Sequence, residues 1–132
     1  MRQKIVAGNW KMNKTLAQGL QLVDEILLKP GILASPNVLK IIAPPFTHLA
    51  AIDDRLRTHT DFAVGAQNCH HLPNGAYTGE VSAETIASTG AKYVIIGHSE
   101  RRLQFGENSN LLAQKINTAL SALLIPVFCI RV

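Results

Sequence analysis

Two short polar segments combine residue types that could stabilise negative charge as it develops in a reaction. Residues 8–13 read Gly-Asn-Trp-Lys-Met-Asn and contain Lys11, and residues 97–102 read Gly-His-Ser-Glu-Arg-Arg and contain His98. A lysine ammonium supplies positive charge, and a neutral imidazole polarises a carbonyl group by donating a hydrogen bond. Either residue alone is more often a surface or structural group. Each segment follows an apolar run, and their joint occurrence there favours a catalytic site.

Two neighbours of His98 could hold this chemistry in place. Ser99 could cap a short helix whose first N–H groups point at the His98 ring, and a helix N-terminus favours the neutral imidazole. Glu100 could form an ion pair with Lys11 and hold the ammonium group in position. The alternative for that pair is an exposed surface contact that contributes little to stability.

Five apolar runs predict the strands that position these segments. They cover residues 4–7, 39–43, 62–66, 93–97 and 127–130, and short runs of this kind are typical of buried strands in a parallel sheet. Helical patterns separate the runs, which predicts an α/β fold with parallel strands. Ligands in such folds bind beyond the carboxyl ends of the strands. Periodicity leaves open whether the sheet is doubly wound or an arc of a (β/α) barrel.

Apolar residues spaced by three and four predict the helices between these strands. The three longer patterns span Leu16–Leu27, Leu49–Leu56 and Leu112–Leu123. Asn108-Ser109 are candidate N-caps for the last of them. A shorter helix is predicted over residues 82–89, ending at Gly90. Lys29-Pro30-Gly31 is expected to be a connection.

Composition restricts the class of protein. The chain has 132 residues, of which 47% are apolar and 17% charged, so we predict one folded domain over residues 1–132. No apolar stretch approaches the roughly 18 residues of a membrane span, and no signal peptide is evident. The expected protein is therefore soluble and has no membrane partner.

The net charge of +4 is compatible with an anionic substrate or with nucleic acid. The basic residues are dispersed, with Arg101-Arg102 as the only adjacent pair, and the aromatic residues do not interleave with them. A nucleic-acid partner is therefore the weakest hypothesis. The sequence has neither GxGxxG after its first strand nor GxxxxGK[ST], which excludes the usual dinucleotide and P-loop phosphate cradles.

The cysteine and histidine residues do not predict a metal site. Cys69 and Cys129 lie far apart, without CxxC spacing, and are expected to be buried free thiols in a reducing cytosol. His70 and His71 are adjacent, so their side chains are expected to point apart. They lie in a long connection, residues 67–81, whose apolar residues indicate that it docks against another surface.

Four ordered motifs resemble the triosephosphate isomerase family. They read Ala-Gly-Asn-Trp-Lys-Met-Asn at 7–13, Gly-Ala-Gln-Asn at 65–68, Gly-Ala-Tyr-Thr-Gly-Glu at 75–80 and Ile-Gly-His-Ser-Glu-Arg-Arg at 96–102. The resemblance extends through Ile130 and implies a (β/α)8 barrel, here a partial barrel of four βα units and a fifth strand. It also implies interconversion of dihydroxyacetone phosphate and glyceraldehyde 3-phosphate through an enediolate, in glycolysis and gluconeogenesis, without a cofactor or metal. Polarisation of the carbonyl by a neutral histidine is established for that enzyme.

The resemblance implies roles for individual residues. His98 would polarise the substrate carbonyl, and Ser99 would support the histidine segment. Lys11 would stabilise negative charge on the phosphate and on the enediolate. Glu100 would orient Lys11, and Asn9 would also contact the substrate.

In that family the connection over residues 67–81 inserts into the neighbouring subunit of a homodimer in the cytoplasm. This insertion would place Thr78 beside the partner's Asn9 and Glu80 near the partner's Arg101. The resemblance therefore implies a homodimer whose small-molecule substrate is a triose phosphate.

The chain departs from the family in length. A complete barrel takes about 250 residues and eight strands, and the family's general-base glutamate follows the sixth strand, with the glycine-rich phosphate site later still. Glu84, Glu100 and Glu107 do not follow that strand, so this chain is expected to be inactive alone. After Ile130 the family continues with Gly-Glu, whereas this chain has Arg131-Val132.

The alternative function is a non-catalytic half-barrel that self-associates or pairs with a complementary chain. It follows from the same strand count, because the first and fifth strands would be open edges and the inner layer of the barrel would be unpacked.

Overall fold

Within residues 1–130, which the computed structural model describes, five parallel strands form one curled sheet. They are β1 (Lys4–Asn9), β2 (Val38–Ala43), β3 (Phe62–Ala66), β4 (Tyr93–Ile96) and β5 (Ile125–Phe128). Each strand pairs in parallel with the next one along the chain. The spatial order follows the chain order without a switch point, which is the order of a (β/α) barrel and not of a doubly wound sheet. The predicted α/β fold and partial barrel are confirmed, and the Arg131-Val132 ending lies outside the described residues.

Helices connect the strands, and the three longest lie where the apolar spacing predicts them. They are α1 (Leu16–Leu27), α2 (Pro30–Leu33), α3 (Leu49–Leu56), α4 (Ala83–Ser88), α5 (Ser99–Gln104) and α6 (Ser109–Ser121), with a 3₁₀ turn over Phe46–His48 before α3. The Asn108 side chain accepts a hydrogen bond from the Leu111 N–H at 2.9 Å, which confirms it as an N-cap. Gly90 follows α4 with a φ of +97°. The single turn of α2 was expected to be a connection, but Pro30 at its first position suits a helix start.

The main core lies between the outer face of the sheet and the helices. It is built from apolar side chains of both layers, among them Val23, Ile42, Leu49, Ile52, Val64, Ile86, Val94, Ile96 and Leu112. These residues confirm that β2, β3 and β4 are buried and that α1, α3 and α6 turn an apolar face to the sheet.

The expectation of burial was wrong for the two outer strands. In β1, Ile5 and Val6 are 51% and 63% exposed, and in β5, Ile125 is 52% exposed. Both strands are edges of the sheet and have a neighbour on one side only. The fifth strand also begins earlier than predicted, at Ile125 instead of residue 127, and β1 extends to Asn9.

A buried lysine ties β2 to the start of β3. Lys40 is 7% exposed, and its Nζ donates to Asp61 Oδ2 at 2.6 Å and to the carbonyl oxygen of Ser35. The hydrogen bond from Lys40 lowers the pKa of Asp61 below its ordinary value. The ionised carboxylate is therefore the form that the fold stabilises.

We expect this pair to make stability depend on pH in the acid range. Because the pKa of Asp61 is lower in the folded state, its contribution is present above the ordinary aspartate pKa of about 4 and is lost as the pH falls through the lowered value. Urea unfolding of Asp61→Asn should give a flatter pH profile that converges with the parent's at low pH. Asp54→Asn is the control, since Asp54 pairs with Arg57 on the surface. An acid profile for Asp61→Asn as steep as the parent's would contradict the expectation.

Candidate active site

The carboxyl ends of β1 and β4 meet through an ion pair between the two segments that follow them. Lys11 Nζ lies 2.6 Å from Glu100 Oε1, with side chains 54% and 43% exposed. The hydrogen bond from Lys11 lowers the pKa of Glu100 below its ordinary value. The structure thus forms the ion pair between Lys11 and Glu100 that the sequence suggested. Because both groups are solvated, the pair positions the ammonium group more than it stabilises the fold.

The His98 ring is itself the N-cap of α5. Its Nδ1 accepts a hydrogen bond from the Glu100 N–H at 3.2 Å. Ser99 is the first helical residue, so the expectation that Ser99 is the cap was wrong, although a helix N–H does point at the ring as predicted. Because Nδ1 acts as an acceptor, the neutral imidazole carries its hydrogen on Nε2. Within residues 1–130 no hydrogen bond occupies Nε2, which leaves it able to donate to a ligand.

Gly97 and Arg102 fix the backbone at the end of β4. Arg102 donates through Nε to the Gly97 carbonyl and through a terminal nitrogen to the Cys129 carbonyl, both at 2.7 Å. A Cβ on Gly97, whose φ is +81°, would lie 2.8 Å from Arg102 and 3.0 Å from the Cys129 oxygen. A glycine is therefore required before His98. Sequence reasoning missed the role of Arg102, because nothing in the sequence shows that its guanidinium reaches the segment after β5.

Gln67 holds the segment that carries Lys11. Its side-chain amide donates to the carbonyl oxygens of Lys11 at 2.8 Å and of Ala43 at 2.9 Å, and Asn9 Oδ1 accepts from the Lys11 N–H at 2.9 Å. These contacts join the ends of β1, β2 and β3. Sequence reasoning assigned Gln67 no role, although its place directly after a strand was the signal that could have singled it out.

A buried charge network lies beneath the segment after β4. Glu107 Oε2 accepts from Arg101 Nε at 2.9 Å and from Lys115 Nζ, and Lys115 also donates to Asn68 Oδ1 at 2.8 Å. Burial would raise the pKa of Glu107, but the hydrogen bonds from Lys115 and Arg101 outweigh it and lower that pKa. The network joins α5 and α6 to the start of the connection over residues 67–81.

The residues predicted for a subunit interface are not brought together within the chain. Thr78 and Glu80 lie at the exposed tip of the connection, and Glu80 Oε2 is 3.8 Å from His70 Nδ1. Arg101 instead contacts Glu107. The base of the connection is packed, with Asn68 and Cys69 buried. The role of Thr78, Glu80 and Arg101 at a subunit interface stays a prediction.

The histidine and cysteine side chains differ in part from expectation. The rings of His70 and His71 lie 4.4 Å apart, and His70 also packs on Tyr77 at 4.6 Å, so the expectation that the two histidines point apart was wrong. Burial raises the pKa of the Cys69 thiol to about 11, and Cys129 is only partly buried.

Among residues 1–130, no group of three or more His, Cys, Asp or Glu side chains could hold a metal ion. No helix in the same range is long and apolar enough to cross a membrane.

The parallel order of βα units, with polar side chains at the carboxyl ends of the strands, defines a partial (β/α) barrel with its candidate site in the position typical of barrel enzymes. Residues 4–131 match the model of the family described as triosephosphate isomerase. The chain belongs to the triosephosphate isomerase family.

Curated relatives agree with this assignment. The chain is 52% identical over 130 residues to the triosephosphate isomerase of Bacteroides fragilis and 54% identical over 132 residues to that of Porphyromonas gingivalis. In both comparisons 98% of this chain aligns with 51% of the relative. The chain therefore spans about half the length of the curated relatives that it matches.

Proposed function

We propose that this chain supplies the electrophilic half of an active site that interconverts dihydroxyacetone phosphate and glyceraldehyde 3-phosphate. The observation that carries the proposal is the orientation of His98. Its Nδ1 is occupied by the Glu100 N–H, so Nε2 is left as a donor, and Lys11 is held at the same end of the sheet by Glu100. A donor and a cation placed together suit an oxygen on which negative charge develops.

The proposed reaction removes a proton from the hydroxyl-bearing carbon next to a carbonyl group and returns a proton to the former carbonyl carbon. The hydroxyl proton is transferred to the former carbonyl oxygen, so the reaction is an internal redox exchange and no electron acceptor is needed. When the first proton leaves, the electron pair moves to the carbonyl oxygen and forms the enediolate. His98 Nε2 donates a hydrogen bond to that oxygen, and the Lys11 ammonium stabilises its charge and that of the phosphate. Asn9 contacts the substrate, and Glu100 keeps Lys11 in place.

The base is not among the carboxylates at this site. Glu100 is paired with Lys11, and Glu107 is buried against Lys115 and Arg101. The proposal therefore requires a general base and a phosphate-binding loop supplied by residues other than 1–132. The chain alone is expected to be inactive.

The finer assignments follow the family. We infer a cytoplasmic glycolytic and gluconeogenic enzyme that acts as a homodimer, in which Thr78 lies beside the partner's Asn9 and Glu80 lies near the partner's Arg101. The observation that supports the dimer is the exposure of residues 73–80, including the aromatic Tyr77 at 44%.

A second candidate is the non-catalytic half-barrel that self-associates or pairs with a complementary chain. It is favoured by the exposed apolar side chains on both edge strands, such as Val6 and Phe128, because unpaired strand edges promote pairing with another chain. Sedimentation velocity of the purified chain tests it. A folded monomer across the accessible concentration range would exclude self-association.

Complementation tests the isomerase proposal. The purified chain is assayed alone, and again after mixing or fusion with the half of the Bacteroides fragilis enzyme that this chain does not match. We expect turnover only in the combined protein, its loss in Lys11→Met, and its retention in the control Lys29→Met, which changes an exposed lysine far from the site. Full turnover by the chain alone, or a folded combined protein without turnover, would contradict the proposal.

A further inference from the structure

The segment between β1 and α1 is held in an unfavourable backbone conformation. Lys11 and Lys14 have φ angles of +56° and +76°, in the left-handed region that L-residues other than Asn and Asp rarely adopt. Such a conformation persists only when surrounding structure holds it. The segment directly follows Asn9 and carries Lys11, so whatever holds its backbone also determines where the Lys11 ammonium lies.

Each of the two strained lysines has its carbonyl oxygen held by a side chain from another element. Gln67 donates to the Lys11 oxygen at 2.8 Å. The Lys14 oxygen lies 2.9 Å from Nε2 of His48, a residue of the 3₁₀ turn before α3 that is only 3% exposed.

The hydrogen-bond partners of His48 fix its tautomer. A carbonyl oxygen can only accept, so Nε2 carries a hydrogen and donates to Lys14. On the other side of the ring, Nδ1 lies 2.8 Å from the Thr47 hydroxyl oxygen. With Nδ1 of the neutral ring as the acceptor, the Thr47 O–H is the donor. Both nitrogen atoms are therefore used, and the ring has one defined orientation.

The first turn of α1 leaves space for this ring. A Cβ at Gly19 would lie 2.6 Å from Cδ2 of His48 and 3.1 Å from the indole of Trp10. Trp10 stands between Asn9 and Lys11 in the chain, and its backbone N–H donates to the Ala43 carbonyl at 3.0 Å. The glycine thus allows the imidazole and the indole to pack beneath the strained segment.

We propose that His48, seated on Gly19, is a positioning residue that holds the Lys14 carbonyl and thereby keeps the Lys11 ammonium against Glu100. His48 touches none of the proposed reacting groups and acts through the backbone of residues 10–14. The proposal rests on the proposed isomerase function for its catalytic consequence, but not for the Lys11–Glu100 contact itself.

The first measurement needs no turnover. In the 132-residue chain labelled with ¹³C, the titration midpoint of the Glu100 carboxyl is followed by NMR and compared between the parent and each variant. Because the hydrogen bond from Lys11 lowers the pKa of Glu100, loss of that contact raises the midpoint towards the ordinary glutamate value. We expect this rise in His48→Phe, which keeps a flat ring but removes the donor.

Matched variants separate positioning from general damage. His48→Gln keeps an N–H donor on its ε atom and should retain the low midpoint, and His59→Phe, in the connection before β3, should leave it unchanged. Gly19→Ala should raise the midpoint because its Cβ displaces the His48 ring, and its helix propensity offsets part of the packing cost. It is the second variant of the test and leaves the His48 donor itself in place. An unchanged Glu100 midpoint in folded Gly19→Ala and His48→Phe would overturn the proposal.

Kinetics of the combined protein provide the second measurement. A displacement of Lys11 by about 1 Å should lower kcat/KM by up to about 100-fold in His48→Phe, with recovery in His48→Gln. Parental kcat/KM in His48→Phe would overturn the proposal. Absence of turnover in the parent would instead contradict the isomerase function, and the Glu100 midpoint alone would then decide the role of His48.

Discussion

Replacing His98 by asparagine is expected to lower kcat of the combined protein, assayed for the proposed isomerase reaction, by about 100-fold to 1000-fold without destabilising α5. The expectation follows from the two nitrogen atoms of the ring. Nδ1 caps the helix by accepting from the Glu100 N–H, and asparagine is among the best N-cap residues because its side-chain oxygen accepts in the same way. Asparagine has no atom at the position of Nε2, so it removes the donor alone.

The experiment compares kcat with the free energy of unfolding for two variants. His98→Asn should retain the parent's stability, whereas His98→Ala loses both the donor and the cap and should also lose about 1 kcal/mol of stability. Parental kcat in His98→Asn would show that Nε2 does not polarise the substrate. If kcat falls in His98→Ala but not in His98→Asn, the loss comes from the missing helix cap, and His98 has a structural role only.

Replacing Glu107 by glutamine is expected to lower the free energy of unfolding by about 3–5 kcal/mol, because it leaves the buried Lys115 ammonium without its counter-charge. Lys115 and Glu107 are 4% and 7% exposed, so water cannot solvate the remaining charge. The variant also weakens the contact from Arg101 that ties α5 to this network. A domain of this size has roughly 5–15 kcal/mol of stability in total, so the loss should be evident in the folded population.

Urea unfolding monitored by circular dichroism measures this effect. Glu84→Gln is the matched control, since Glu84 is exposed in the first turn of α4 and its substitution should change stability by less than about 1 kcal/mol. Glu107→Gln combined with Lys115→Met removes the uncompensated charge and should recover part of the loss. Equal effects of the two glutamate substitutions, or no recovery in the double variant, would show that the buried ion pair is not what stabilises this region.

Local features of the fold could be predicted from the sequence because they depend on neighbours along the chain. Asn108 caps α6 and Gly90 ends α4, since the cap and the left-handed residue act within one turn of their own helix. Strand-end reasoning also placed Lys11 near Glu100, because parallel strands bring their carboxyl ends to one edge. The cap of α5 was misassigned, since a histidine ring capping its own helix has no simple sequence signal.

The contacts made at a distance could not be predicted in this way. Which side chain reaches the Lys14 carbonyl, or which carboxylate neutralises Lys115, depends on how helices pack across the sheet.

By itself, the sequence determined the succession of strands and helices, the parallel sheet and the family resemblance, because periodicity, caps and motifs are local. The tertiary structure decided that the sheet keeps chain order as a barrel arc, that β1 and β5 are exposed edges, and which nitrogen of His98 remains a donor. It also showed that the side chains of Gln67 and His48 hydrogen-bond to carbonyl oxygens of the segment between β1 and α1. These features depend on distances between residues far apart in the chain, and only packing fixes those distances.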